Sequence, residues 1–169
     1  MKRQAACPCP ATRRRFFLLA LTTMNAALAA PTPLQCRMQR IGSHALRFEL
    51  HNRSRQSWWL LRWGTPFEGG WVTPLVRIER DGQALVYQGA QIKRGEPAAP
   101  DYLRLAPGQR KAATLVLAPA WELGSPGRYR IESLWSWHDA FQAGTIRPPR
   151  PRAEHQPMAQ PCDALAFSL

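Results

Sequence analysis

Apolar and polar residues alternate with a period of two along most of the chain. Ser43–Leu50 reads SHALRFEL, with Leu46, Phe48 and Leu50 on one side and Arg47 and Glu49 on the other. That alternation predicts a half-buried strand, because successive side chains of a strand point to opposite faces. Trp58–Trp63 predicts a second strand, apolar on both faces except at Arg62, and Leu75–Arg80 a third. Asp81-Gly82 is a strong hairpin signal and returns the chain into Ala84–Tyr87. Gln88–Pro100, rich in Gly, Pro and charge, reads as a long surface loop. Asp101–Leu105, Lys111–Leu117, Arg128–Trp137 and Ala164–Leu169 complete the expected strands, with one helical turn at Pro119–Leu123. Tyr129 follows the turn Pro126-Gly127 as in the tyrosine corner of sandwich domains. The expectation is an all-β, immunoglobulin-like Greek-key β-sandwich of seven to eight strands. A Pro-rich irregular loop spans 147–161.

The first thirty residues follow another pattern. Lys2, Arg3 and Arg13-Arg14-Arg15 precede FFLLALTTMNAALAA, an apolar run ending in small residues. Charged, then apolar, then small is the order of an export signal, cut after Ala29 or Ala30. Thr12–Leu18 also fits the twin-arginine motif apart from its missing lysine, so both export routes stay open. The expected product is one domain, 31–169, exported to the periplasm or medium, with no integral span once the signal is gone.

Removing that segment changes the charge and the cysteine count. Five of the 23 basic residues go with it, leaving 18 against 11 acidic, a net charge of +7 carried almost wholly by arginine. The arginines are scattered singly, which fits a solvated basic surface better than a nucleic-acid site. Cys7 and Cys9 leave as well. Cys36 and Cys162 remain, and two cysteines in an exported chain predict one disulfide.

Catalytic patterns do not emerge. The sequence has no H-E-x-x-H, no G-x-S-x-G and no P-loop. His44, His51, His138 and His155 lack ligand spacing, so no metal or cofactor is expected. His138-Asp139 near Glu132 is the best of the weak metal candidates. Glu68, set among aromatics where burial raises a carboxyl pKa, has no partner acid for general acid/base work. Asn52-Arg53-Ser54 is a formal glycosylation sequon.

The most unusual stretch is SWWLLRWGTPFEGGW, with four tryptophans between Ser57 and Trp71. Trp59, Leu61 and Trp63 share one side of the strand and are expected in the core, with Trp58, Leu60 and Arg62 outward. Past Trp63, Gly64-Thr65-Pro66 must leave the sheet, because Pro has no amide hydrogen for the ladder. Trp63, Gly64, Thr65, Pro66, Phe67, Glu68 and Trp71 then form a candidate partner-binding loop. The alternative is that Phe67 and Trp71 fold back as a plug over the open end of the sandwich.

Several ordered motifs carry a family resemblance. Leu60-Leu61-Arg62-Trp63-Gly64-Thr65-Pro66-Phe67-Glu68-Gly69 is followed by Tyr87-Gln88-Gly89, Lys93-Arg94-Gly95-Glu96-Pro97 and Leu105-Ala106-Pro107-Gly108. This series, over about residues 43–135, resembles the non-catalytic N-terminal propeptide-like β-domain of deuterolysin-type (Asp-zincin, including peptidyl-Lys) metalloendopeptidases. The zinc-binding catalytic half is not in this sequence. The resemblance therefore implies a sandwich without peptidase activity that binds a metalloprotease, as inhibitor or folding helper. An envelope or extracellular module binding a glycan on exposed Trp rings is the alternative.

Overall fold

A computed structural model describes residues 32–118 and 120–169. The export signal expected at 1–30 lies outside the described residues. Among these residues the structure is all β apart from three single-turn 3-10 segments.

The strands are β1 (Leu34–Ile41), β2 (Ala45–Asn52), β3 (Trp58–Leu61), β4 (Val76–Arg80), β5 (Gln83–Ala84), β6 (Tyr102–Leu105), β7 (Arg110–Val116), β8 (Arg128–Ser133), β9 (Ser136–Trp137), β10 (Ala140–Gln142), β11 (Met158–Ala159) and β12 (Leu165–Ser168). They pair antiparallel in four sheets, ordered β1-β2-β7, β10-β3-β6, β11-β9 and β12-β8-β4-β5. The apolar faces of the β1-β2-β7 and β12-β8-β4-β5 sheets share one core and form the sandwich. Leu34, Met38, Leu46, Phe48 and Leu50 come from the first sheet, and Val76, Ile78, Tyr129 and Ile131 from the second. Each set occupies alternate positions of its strand, as a pleated sheet with one wet face requires.

Local chemistry fixes the turns. Asp81 and Gly82 both take positive φ (51° and 81°), the two-residue geometry that lets β4 turn into β5. Tyr129 buries its ring against Phe167 and donates its hydroxyl to the Ser125 carbonyl four residues upstream, at 2.7 Å. Asn52, fully buried, holds the bends between β2 and β3 and between β6 and β7. Its amide donates to the carbonyls of Gln56, Leu105 and Ala106, and its carbonyl oxygen accepts from Ser54. The formal sequon is therefore a structural corner with no free side-chain amide.

Cys36 and Cys162 are disulfide-bonded across 126 residues, with Cα atoms 4.7 Å apart. The bond ties β1 to the segment before β12. In the chain-entropy account, a loop of that length contributes about 4–5 kcal/mol by restricting the unfolded chain.

Three expectations need correction. β1 was not expected, although Leu34, Cys36 and Met38 alternate with polar residues. The facing of β3 is reversed: Leu60 enters the main core with Trp58 packed against it. Trp59, Leu61 and Trp63 lie on the other face in a small second cluster with Tyr102 and Phe141. Arg62 decides nothing, because backbone carbonyls of Pro100 and Asp101 accept its guanidinium. Lastly, the helical turn expected at Pro119–Leu123 reduces, among the described residues, to amides of Ala120 and Trp121 donating to the Leu117 carbonyl.

Candidate functional site

The loop after β3 is built from its own side chains. Thr65 caps a single 3-10 turn, Pro66–Glu68. Its hydroxyl donates to the Arg62 carbonyl at 2.6 Å and accepts from the Phe67 amide at 3.2 Å. Pro66 occupies the first position, where its missing N–H costs nothing.

The turn drives Phe67 inward. Phe67 is only 8% exposed and stacks on Trp137 at 5.9 Å, with Trp135 edge-on at 6.2 Å. Trp71 is equally buried and donates its indole N–H to the Val116 carbonyl at 2.6 Å. Both rings belong to the main core. Of the two readings of this loop, the structure selects the plug for Phe67 and Trp71. Thr65 and Pro66 are buried with them, so Thr65, Pro66 and Phe67 offer little surface to a partner, and Trp71 shows only an edge beside β7. Phe67 found the interior because Trp135 and Trp137, far along the chain, supply the other half of its cluster.

What faces solvent is the remainder of the stretch. Trp63, Gly64 and Glu68 line a cleft of about 570 Å³, closed on its other sides by Lys93 and Arg94, by His138, and by Arg152 and His155 of the Pro-rich loop. Glu68 organises the near wall. One carboxylate oxygen accepts the Gly64 amide at 2.8 Å and the other pairs with Arg94. The Arg94 guanidinium carbon lies 5.7 Å from the Trp63 ring centre, within cation–π range. Gly64 has φ +63°, the left-handed region that favours glycine, and a Cβ there would lie 2.8 Å from the His138 Nε2, so the exposed His138 ring would have to shift.

The far wall depends on a buried polar knot. Asp139 is fully buried and Arg150 6% exposed; they pair at 2.7 Å. Tyr102 donates its hydroxyl to Asp139 at 2.9 Å, and the Gln156 amide does the same at 2.9 Å. Burial first, and then the hydrogen bond to Asp139, pushes the Tyr102 phenol up to about 12. This knot pins the Pro-rich loop to the sandwich. Arg152 continues it by donating to the Arg94 carbonyl at 3.2 Å, and His155 Nε2 sits 3.1 Å from the Arg150 carbonyl.

The weak metal candidates are not assembled. Asp139 is committed to Arg150, Glu132 pairs with Arg130 at 2.6 Å, and His138 stands apart beside Gly64. Among the described residues no group of three or more His, Cys, Asp or Glu is placed to hold a metal ion. None of the described helical segments is long and apolar enough to cross a membrane. The cleft presents Lys93, Arg94 and Arg152 against Glu68, with Glu96 just outside on the Arg152 amide. Its chemistry is that of a cationic recess with one aromatic wall. Sequence reasoning found one wall in Trp63, Gly64 and Glu68. It missed Arg152 and His155, which enter through long-range pairing that local pattern does not carry.

No family model matches the chain. A 75-residue stretch, 44% of the chain, is 37% identical to part of a protein named extracellular protease from Aeromonas hydrophila. That stretch covers 21% of the Aeromonas protein, so the chain matches about a fifth of it.

Proposed function

We propose that the protein is an exported, non-catalytic module that binds a deuterolysin-type metalloprotease, as an inhibitor or folding helper. The carrying observation is the similarity to a limited part of an extracellular protease, 37% over 75 residues. The disulfide between Cys36 and Cys162 supports export, since such bonds persist in oxidising compartments. The partner surface is the cleft built on Trp63, Gly64 and Glu68, with Lys93, Arg94 and Arg152 opposite. Its cations would meet acidic groups of the protease, and its rigid aromatic wall would cost little ordering entropy on binding. The alternative is an envelope or extracellular module that binds a glycan, with Trp63 in the cleft wall as the stacking ring.

The test is to mix the mature chain with a deuterolysin-type protease from the same source and, separately, with the Aeromonas hydrophila extracellular protease. Peptidase activity and refolding yield are followed in each mixture. The expected result is inhibition or a raised refolding yield at stoichiometric amounts. Unchanged activity and unchanged yield in both mixtures would overturn the proposal.

A further inference from the structure

The loop that walls the cleft has a second concavity on its other side. Gly69, Gly70 and Trp71, with Gly89 and Ala90, face the outer edge of β7 across a groove of about 410 Å³. β7 is the end strand of its sheet. The Leu117 amide donates to the His44 carbonyl and the Asn52 amide to the Gln109 carbonyl. With the β2–β7 register, these bonds put the main-chain groups of Lys111, Ala113 and Leu115 toward β2 and those of Ala112, Thr114 and Val116 outward. Among the described residues, no backbone group pairs with the outward amides of Ala112 and Thr114. The Trp71 indole already donates to the outward Val116 carbonyl, so this edge accepts partners from the groove side.

Natural sheets usually protect such edges with bulges, prolines or covering loops. The Gly69–Trp71 and Gly89–Ala90 segments flank the Val116 end of this edge, but the seven regular residues of β7 carry no bulge and no proline. Beside Trp71 the groove wall is made of small residues, and a Cβ added at Gly69 or Gly70 meets nothing within 4 Å. The solvent face beside the edge is cationic. Arg37, Arg47 and Arg110 are exposed there, and Glu49 is already paired with Arg110 at 2.6 Å. Arg47 lies directly across from Thr114. A side chain on a strand added beyond β7, in register with Thr114, would lie two strand spacings from Arg47, roughly 9–10 Å. Extended Glu and Arg side chains span that gap across the short Thr114 side chain.

We infer that the outer edge of β7 is a strand-addition site for an extended, acidic segment of a partner polypeptide. Main-chain hydrogen bonds to Ala112 and Thr114 supply the affinity, and the arginine face selects carboxylates at alternate positions. The groove shares the Trp63–Trp71 loop with the cleft, so one partner chain can engage both. The inference rests on a polypeptide partner, as proposed above, but on a separate surface.

The experiment uses the mature chain and a decapeptide of alternating Val and Glu, with a Lys-for-Glu counterpart. Hydrogen exchange is read residue by residue. The Glu peptide should slow exchange of the Ala112 and Thr114 amides at least tenfold, saturably and less at high salt, while the Lys peptide should not. Thr114→Pro removes only an outward amide, a change that edge strands tolerate, and should weaken the peptide at least tenfold. Gly70→Trp fills the groove from its far wall and should do the same, independently of how Thr114→Pro folds. Absence of protection at Ala112 and Thr114 with millimolar Glu peptide would overturn the inference. So would protection confined to Lys93 and Arg94, equal binding of the Lys peptide, or a second copy of the chain covering the edge before peptide is added. The peptide assay contains no protease. A chain that takes the peptide but ignores the protease therefore upholds the edge and sinks only the protease proposal, and the opposite pair of results does the reverse.

Discussion

Replacing Phe67 with alanine tests the buried role of its ring against a role at the interface. The ring is 8% exposed and packs against both Trp135 and Trp137, which also touch each other. A buried Phe removes roughly 150–200 Å² from water, worth about 4–5 kcal/mol at 25 cal/mol per Å². Measured Phe→Ala substitutions in cores cost about 3–5 kcal/mol, so the two routes agree. For a domain of this size, each kcal/mol lowers Tm by roughly 3–4 °C, giving a fall of about 10–20 °C. Calorimetry and urea unfolding, with tryptophan fluorescence as the signal, should both show it. Phe67→Leu keeps most of the volume and should cost less than about 1.5 kcal/mol. Below its Tm, Phe67→Ala should still bind the partner, because the cleft is lined by Trp63, Gly64 and Glu68 and not by Phe67. A variant that melts within about 3 °C of the parent yet loses the partner would refute the plug and put Phe67 at the interface.

Cys36→Ser should lower stability by about 4–5 kcal/mol in the chain-entropy account, and non-reducing peptide mapping should show Cys36 joined to Cys162 in the parent. Arg150→Met leaves the Asp139 carboxylate buried without its cation and should cost about 3–5 kcal/mol by urea unfolding, loosening the Pro-rich loop toward proteases. Tyr102 gives a pH signature. Its folded pKa of about 12 lies above the unfolded value of 10, so the folded chain holds the proton more tightly. Its contribution to stability is fully present below pH 10 and is lost as pH rises toward 12. Tyr102→Phe should flatten that part of the pH–stability curve, as read by denaturation at fixed ionic strength.

The elements that were legible in the sequence are those fixed by neighbours along the chain. SHALRFEL shows its buried face by alternation, and Asp81-Gly82 shows its turn through the residues that accept positive φ. The disulfide followed from cysteine count, and the Tyr129 corner from a turn beside a strand. The elements missed are set by distant partners. β10 and β11 are two or three residues long and exist only where β3 and β9 offer edges. The facing of β3 could not be read locally, since apolar residues lie on both sides. Tyr102 and Phe141 cover the second face, and neither is near in sequence. Phe67 looked like a binding ring until Trp135 and Trp137 arrived from seventy residues away. The site follows the same division. Trp63, Gly64 and Glu68 were found because they share a loop, while Arg152 was hidden by a buried Asp139–Arg150 pair that no spacing announces.

The central claim, that the cleft binds a metalloprotease, is tested most directly by calorimetric titration of the mature chain into a deuterolysin-type protease from the same source. The parent should bind at 1:1 with micromolar or tighter affinity, weakening as salt rises. Lys93→Glu combined with Arg152→Glu should weaken it at least tenfold while Tm stays within a few degrees, since both side chains are exposed. No binding by the parent at protease concentrations of about 100 μM, or equal binding by the charge-reversed variant, would contradict the account.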